Sequence, residues 1–242
     1  MPPARPALSP TADVLAAPVS PAPAETPAFS SLFTPLKADF RRMATDRSLT
    51  VLGLGIAGAF SMHALDPKLS SGGWGSDADR LFSPGRVAGS AAVQGGAAFA
   101  TYLVGRAIHQ PRVASLGAKL VRAQIVAQTT TQFMKIAVRR TRPDGSVLSF
   151  PSGHTSAAFA TATVLQSELG WKAGVPAYAM ATWIGASRME GRRHYLSDVI
   201  AGATVGILAG HSVTFGAAGS RFSLSPLVVP GGGGLNIVRI GR

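Results

Sequence analysis

The sequence predicts an all-α protein built around six helices. Six runs rich in Ala, Gly, Val and Leu are separated by polar breaks, and none alternates between apolar and polar residues as a strand would. The chain has 242 residues, enough for one substantial core. Its 28 glycines and many alanines would let helices approach one another closely. The runs cover residues 49–65, 88–108, 112–138, 154–169, 174–187 and 195–216.

The N-terminal region differs in composition from these runs. Residues 1 to about 30 are rich in Pro, Ala and Ser, lack an apolar run long enough for a signal-peptide core, and are predicted to be disordered. Residues 29–47 mix apolar and basic side chains, as in an amphipathic helix on a membrane surface or an ordinary helix that leads into the bundle. The predicted organisation is a tail over 1–45, a helical domain over 46–216 and a C-terminal segment over 217–242.

Two further segments are predicted to lie outside the six helices. Residues 66–86 are crowded with Gly, Ser and Pro, which predicts a long loop. Residues 224–238 hold two short β-prone runs around four glycines, which is typical of a small hairpin or of a loose tail.

The apolar runs raise the question of a membrane. A membrane-spanning helix needs roughly 20 mostly apolar residues, and residues 49–65 come nearest to that length. The run 112–138 contains polar and charged side chains that lipid would not tolerate but that can face the inside of a bundle. The mean hydropathy of +0.25 is low for a polytopic protein, although the polar tails dilute it. The balance slightly favours an integral membrane protein over a soluble helical bundle.

The charge of the chain indicates the class of partner, and its lack of cysteine excludes two kinds of site. The chain has 23 Lys and Arg against 11 Asp and Glu, a net charge of +12, which favours phosphates, nucleic acid or an acidic membrane surface. It has no cysteine, which excludes disulfides and thiolate metal sites.

Residues 135–143, KIAVRRTRP, contain the first candidate site residues. Lys135 and Arg142 are seven residues apart and share a helix face if the helix continues that far, with Pro143 ending it. Two cations on one face suit a tetrahedral oxyanion. The alternative is a solvated basic helix end, favoured by the helix dipole, and Arg139 and Arg140 are assigned to it or to a general attraction for anions.

Residues 150–159, FPSGHTSAAF, predict the start of a helix. Its free N–H groups would attract an anion, Gly153 would let the backbone approach that anion, and Ser152 would add a hydroxyl. His154 would lie beside the anion, where an imidazole can exchange a proton near neutral pH. The alternative is a capping serine, a turn glycine and a surface histidine.

Residues 187–198, SRMEGRRHYLSD, contain the third group. His194 and Asp198 are four apart, which places them on one face of a helix, where the carboxylate can hold one ring nitrogen and leave the other as a nucleophile. Arg188 supplies another cation. The alternative is a surface His–Asp pair. The same face continues as a stripe of small residues, Gly202, Gly206 and Gly210, which predicts tight packing against a neighbouring helix.

Together these segments supply what phosphoryl transfer through a phosphohistidine requires: cations, backbone N–H groups, two histidines and one orienting carboxylate. Their spacing, K-x6-RP, PSGH and SR-x5-H-x3-D, resembles the three signature motifs of the type 2 phosphatidic acid phosphatase superfamily. That superfamily includes bacterial acid phosphatases, membrane lipid phosphatases and vanadium haloperoxidases. The resemblance covers roughly residues 90–216 and implies a six-helix bundle of the acid phosphatase and haloperoxidase type.

The resemblance also implies a role for each matching residue. His194 would attack phosphorus, Asp198 would orient His194, and His154 would protonate the leaving alcohol and then activate water. The phosphate oxygens would be held by Lys135, Arg142, Ser152, Gly153 and Arg188. The scheme needs no metal or other cofactor, and vanadate is expected as an inhibitor. The remaining histidines, His63, His109 and His211, are assigned to packing or surface positions.

Three functions remain open at this point. The first is a metal-independent phosphatase acting on phosphate monoesters or lipid phosphates. The second is a haloperoxidase, in which vanadate would be the cofactor. The third is a non-enzymatic basic protein that binds a membrane or nucleic acid, although aromatic residues for base stacking are few, with three Trp and three Tyr.

Partner and location follow from the phosphatase prediction. A membrane enzyme would act on a lipid phosphate, whereas a soluble periplasmic enzyme would act on small phosphomonoesters, and neither binds nucleic acid. The resemblance favours a bacterial-type inner membrane with the site facing the periplasm.

Overall fold

The computed structural model describes residues 25–70, 74–214, 221–229 and 232–240. The tail predicted to be disordered therefore lies outside the described residues up to residue 24. The helices are α1 (Leu36–Met43), α2 (Asp46–Ser61), α3 (Asp66–Ser70), α4 (Ser76–Ala88), α5 (Ala91–Ala107), α6 (Pro111–Val138), α7 (Gly153–Leu169), α8 (Trp171–Glu190) and α9 (Leu196–Thr214). Short 3-10 turns occur at Phe29–Leu32 and Met62–Leu65.

The all-α prediction is confirmed, since the six apolar runs correspond to α2 and to α5 through α9. The C-terminal segment forms a small hairpin in which β1 (Arg221–Val229) pairs antiparallel with β2 (Gly232–Ile240). Nine α-helices rather than six occur among the described residues.

The prediction of a long loop over residues 66–86 is wrong, because α3 and α4 occupy most of this segment. Asp77 and Asp79 in the first turn of α4 favour the helix through its dipole. Pro84 lies inside α4, yet the helix continues because it packs on α8, where Gly85 lies against Ser187 and Trp183. Tertiary packing therefore outweighs the breaker residues here.

The helix α1 lies against the bundle rather than apart from it, in contact with α6 and α9. Asp39 is fully buried and accepts two hydrogen bonds from Arg122 of α6, at 2.7 and 2.8 Å. Arg42 adds a third at 2.7 Å. This buried ion pair fixes the first helix on the bundle.

At the centre of the bundle, α7 contacts α5, α6, α8 and α9. The predicted glycine stripe of α9 faces α7 at very short range. An added Cβ would lie 2.5 Å from the Ser152 carbonyl oxygen at Gly202 and 2.4 Å from the Ser156 carbonyl oxygen at Gly206. At Gly210 it would also meet atoms of α7 at 2.5 Å. The small residues thus let α9 approach the start of α7, where the candidate site lies.

Two stretches among the described residues are long and apolar enough to cross a membrane, Ser48–Leu69 and Leu196–Thr214. The pair Asp77–Ala88 and Ala91–Ala107, bent by 52°, would count as a third if it is one broken span. Only 6% of the apolar window in Ser48–Leu69 is buried inside the protein, so this stretch presents apolar side chains outward. Phe60, for example, is 78% exposed. This arrangement agrees with the prediction of membrane-crossing helices.

Candidate active site

The three motif segments meet at one end of the bundle. The Ser152 N–H, at the start of α7, donates to the Asp198 carbonyl oxygen at 2.9 Å. Lys135 Nζ, from the last turn of α6, donates to the carbonyl oxygens of Leu148 and Ser149 at 2.6 and 3.2 Å. His154 lies within electrostatic reach of both Arg188 and His194. The structure therefore brings the predicted site residues together in one place.

The route by which Lys135 and Arg142 meet differs from the prediction. Helix α6 ends at Val138, before Arg142, and Arg139 has a left-handed φ of 52°. Beyond it the chain turns, with the Arg142 N–H donating to the Ser146 carbonyl at 2.7 Å. The residue before a proline disfavours helical backbone, so Arg142 cannot extend α6. A loop, not a shared helix face, places the two cations together.

Arg142 and Arg188 carry the clearest sign of an anion site. The Nε atom of each is buried and has no hydrogen-bond partner among the described residues. The two guanidinium groups also lie within electrostatic reach of each other and of Lys135. Buried donors of like charge are costly unless an acceptor pairs with them. A tetrahedral oxyanion supplies acceptors for all three side chains.

The N-terminus of α7 faces the same region. The helix begins at Gly153, and the Ser152 hydroxyl does not cap it but accepts from Thr155 Oγ1 at 2.9 Å. The first N–H groups of α7 are thus left without a side-chain cap and can bind an anion. An added Cβ at Gly153 would meet its protein neighbours only at 3.6 Å or more, so no protein neighbour requires glycine there.

The spacing suggested that His194 and Asp198 share one helix face, but in the structure they do not. Helix α9 begins at Leu196, so His194 precedes it and Asp198 lies in its first turn. The two side chains still meet, with His194 Nδ1 3.5 Å from Asp198 Oδ2. His194 is only 2% exposed. Burial lowers the pKa of His194 to about 4, despite the opposing effect of the nearby Asp198 carboxylate. The ring is therefore neutral at neutral pH.

His154 is the second residue of α7 and is half-buried. Its ring forms a hydrogen bond with the backbone carbonyl of Arg86 in α4. Burial, and next the charge of Arg188, lower the pKa of His154 to about 4. A bound phosphate dianion opposes both effects, because negative charge favours the imidazolium. The sequence motifs do not indicate Arg86, since α4 lies in the segment predicted as a loop.

Arg140 is the largest correction to the predicted site. The sequence interpretation assigned it to a solvated helix end, but its side chain donates to Asp198 Oδ1 and to Asp66 Oδ2, both at 2.8 Å. His63, assigned to packing or the surface, lies 3.0 Å from Asp66 through Nδ1. Asp66 is 74 residues from Arg140 in the chain, so no local spacing could reveal this contact.

The loops that flank the site are tied together at the surface. Arg193 Nη1 contacts Asp144 Oδ2 at 2.6 Å, and Ser146 donates to the other oxygen of Asp144. The hydrogen bond from the Ser146 side chain, and next that from Arg193, hold the pKa of the Asp144 carboxyl well below its usual range. The ion pair joins the loop after α6 to the loop before α9. Within the described ranges, no cluster of three or more His, Asp or Glu has the arrangement of a metal site.

Comparison with known proteins finds a family model that part of the chain matches. Residues 116–217 match the family model described as the PAP2 superfamily. Over this segment, which is less than half of the chain, the sequence is similar to the PAP2 superfamily. The PAP2 match runs from α6 to just beyond α9 and contains all three motifs. Asp66 and Arg86, which contact site residues, lie before it.

Two curated relatives match over short segments. The chain is 46% identical over 80 residues to a lipid A 1-phosphatase of Porphyromonas gingivalis, covering 31% of this chain and 18% of that protein. It is 38% identical over 79 residues to a probable diacylglycerol pyrophosphate phosphatase 1 of Schizosaccharomyces pombe, covering 27% of this chain and 28% of that protein. The matched segment thus spans less than a third of either relative.

Two solved structures are also similar. The crystal structure of Aquifex aeolicus LpxE has a TM-score of 0.51 at 24% identity and covers 62% of this chain and 92% of its own. The second is the crystal structure of a transmembrane PAP2 type phosphatidylglycerolphosphate phosphatase from Bacillus subtilis. Its TM-score is 0.41 at 17% identity, and the match covers 76% of this chain and 92% of that one. The likeness to the first of these structures supports the fold.

Proposed function

We propose that the chain is a metal-independent lipid phosphatase that works through a phosphohistidine on His194. The observation that carries the proposal is the pair of buried, unpartnered Nε atoms of Arg142 and Arg188 beside two histidines. A site of this kind can bind a phosphate and also transfer it.

In the first step, the free ring nitrogen of His194 attacks phosphorus and the P–O bond to the alcohol breaks. Protonated His154 gives its proton to the leaving oxygen. In the second step, neutral His154 takes a proton from water, the resulting hydroxide attacks phosphorus, and the P–N bond breaks to release inorganic phosphate. His154 ends protonated and His194 neutral, so the cycle closes without a co-reactant. Lys135 and the two arginines stabilise the charge on the phosphoryl oxygens throughout.

Hydrolysis by the purified, detergent-solubilised protein tests the function directly. We expect release of inorganic phosphate from phosphatidic acid and from p-nitrophenyl phosphate, unchanged by EDTA and inhibited by vanadate. Loss of activity in EDTA that returns with a divalent cation would contradict metal independence. Halide oxidation in the presence of vanadate and peroxide, without phosphate release, would instead support the haloperoxidase alternative.

A lipid is the substrate class that the surroundings of the site favour. A cavity of about 270 Å³ lies between α2 and the end of α6. Phe150, one residue before Pro151 of the PSGH motif, forms part of its wall. Its apolar lining comes from Ile56, Ala59, Phe60, Val138 and Phe150. We infer that this cavity takes part of the apolar chain of the lipid. The names of the two curated relatives point to the same class.

Filling this cavity is expected to separate lipid from soluble substrates. Ile56→Trp should raise KM for phosphatidic acid roughly tenfold, equivalent to the loss of contact with about two methylene groups. The kcat/KM for p-nitrophenyl phosphate should stay within about twofold. Leu54→Trp is the matched control, because Leu54 lies on the same helix but is 69% exposed and does not line the cavity. Equal effects of the two variants, or equal effects on both substrates, would contradict the assignment of the cavity.

We also propose that the site faces the periplasm of a bacterial-type inner membrane. The absence of cysteine from the chain makes this testable with a single introduced thiol. Val147, in the loop of the site, is 64% exposed, so Val147→Cys should react with a membrane-impermeant maleimide in intact spheroplasts. Labelling only after the membrane is broken would show that the site faces the cytoplasm instead.

A further inference from the structure

We propose that Arg140 is a positioning residue: with Asp66, it holds Asp198 in the orientation that His194 needs. The inference rests on the proposed function and adds to it a part of the site that lies outside the three motifs. Asp66 also lies outside the segment that matches the family model.

The contacts of Arg140 form a bridge between two carboxylates. Its Nη1 donates to Asp198 Oδ1 at 2.8 Å and to Ser197 Oγ at 2.6 Å. Its Nη2 donates to Asp66 Oδ2 at 2.8 Å and lies 3.1 Å from His63 Nδ1. One guanidinium therefore joins the first turn of α9 to the start of α3.

Burial makes this bridge necessary. Asp66 is 1% exposed and Asp198 is fully buried, so each needs a positive or hydrogen-bonding partner close by. The Arg140 guanidinium also lies over the ring of Tyr195, with its Cζ 4.1 Å from the ring centroid. This contact restricts the position of the planar guanidinium. A lysine carries the same charge but, as a single ammonium, does not reproduce the planar fork.

Asp198 is held on both of its oxygens, and the bridge holds one of them. Oδ1 accepts from Arg140, while Oδ2 accepts from the Ser149 hydroxyl and from the Tyr195 N–H at 2.9 Å. Oδ2 is also the atom that faces His194 Nδ1. With both oxygens held, the carboxylate cannot rotate away from the histidine, which sets the tautomer that leaves the other ring nitrogen free for phosphorus.

Asp66 acts on the same turn from the other side. It accepts from the Ser197 N–H at 3.1 Å and from the Ser197 hydroxyl at 2.5 Å. Ser197 is the neighbour of Asp198 in the first turn of α9. Asp66 thus holds both the backbone that carries Asp198 and the guanidinium that binds it.

Arg140→Lys is the decisive variant, and Arg139→Lys is its matched control. Arg139 lies next in the chain but is exposed, and its side chain bonds to the nearby Ile136 carbonyl. Arg140→Lys should lower kcat about 10- to 100-fold, the range found when a residue that orients a metal-ligating side chain is lost. The inhibition constant of inorganic phosphate should stay within about threefold, since Lys135, Arg142 and Arg188 still bind it. Arg139→Lys should match the wild type in both.

Two outcomes would overturn the proposal. A kcat for Arg140→Lys within twofold of wild type means that the bridge does not position His194. A parallel loss of phosphate affinity and kcat means that Arg140 binds phosphate itself. If Arg140→Lys does not accumulate as folded protein, Asp66→Asn, which keeps the shape of the side chain, is tested by the same two criteria. A wild-type protein without turnover would instead refute the proposed function, so the two failures are distinguishable.

Discussion

Replacing His194 by alanine is expected to abolish phosphate release, with kcat lowered by about four to six orders of magnitude, the range found when a nucleophile is removed. The reason is that His194 is the imidazole that contacts Asp198 beside the cations of the site. The low pKa of His194, about 4, keeps its ring unprotonated across the neutral range. Below that value the ring is protonated and cannot attack, so wild-type activity should also fall as the pH approaches 4.

The measurement is phosphate release from phosphatidic acid by purified variants, with thermal unfolding as the check on folding. The variant should fold, because Asp198 keeps its contacts with Arg140, Ser149 and Tyr195. His109→Asn is the control, since His109 is exposed, lies between α5 and α6, and asparagine tolerates its left-handed backbone. If His194→Ala is folded and retains turnover within about tenfold of wild type, another group is the nucleophile.

Replacing His154 by asparagine is expected to lower kcat by about two to four orders of magnitude on alkyl phosphates, the range for loss of a general acid and base. Asparagine can still donate to the Arg86 carbonyl that holds the native ring. On p-nitrophenyl phosphate the first step should be nearly intact, because nitrophenolate leaves without a proton. The second step should remain slow, because no residue activates water.

The variant should therefore release a rapid burst of nitrophenolate, equivalent to about one per active site, followed by slow turnover. Stopped-flow absorbance measures the burst, and a series of phenyl phosphates with poorer leaving groups measures the dependence on leaving-group basicity. The wild type is the reference, with a weaker dependence on the leaving group. Equal losses on alkyl and nitrophenyl substrates, with no burst, would show that His154 does not handle the proton of the leaving group.

Sequence motifs predict the members of this site better than its geometry. All eight predicted side chains and backbone positions lie in the segments that converge in the structure, while their roles stay predictions. Their spacing was misleading twice. The spacing of His194 and Asp198 matches one helical turn, and that of Lys135 and Arg142 matches two. A helix begins between the first two residues and another ends between the second two, so neither pair lies within one helix. Spacing alone does not show where a helix ends.

The residues that sequence analysis missed share a different feature. Arg140, Asp66 and Arg86 act on the site through partners far away in the chain, and their local surroundings resemble a basic helix end and a loop. Such contacts arise only when α3 and α4 dock beside α8 and α9, which is set by tertiary packing. The breaker residues of 66–86 concealed these two helices and, with them, the outer part of the site.

Trapping the covalent intermediate is the most direct measurement of the central claim. His154→Asn should be mixed with p-nitrophenyl phosphate carrying a 32P-labelled phosphate, quenched in alkaline detergent, and mapped by peptide digestion. We predict label on the peptide that contains His194, stable to alkali and lost in acid, as a phosphoramidate is, and absent from the His154→Asn, His194→Ala double variant. Protein-bound label on another residue, or turnover by the wild type with no protein-bound phosphate at any time, would contradict the phosphohistidine mechanism.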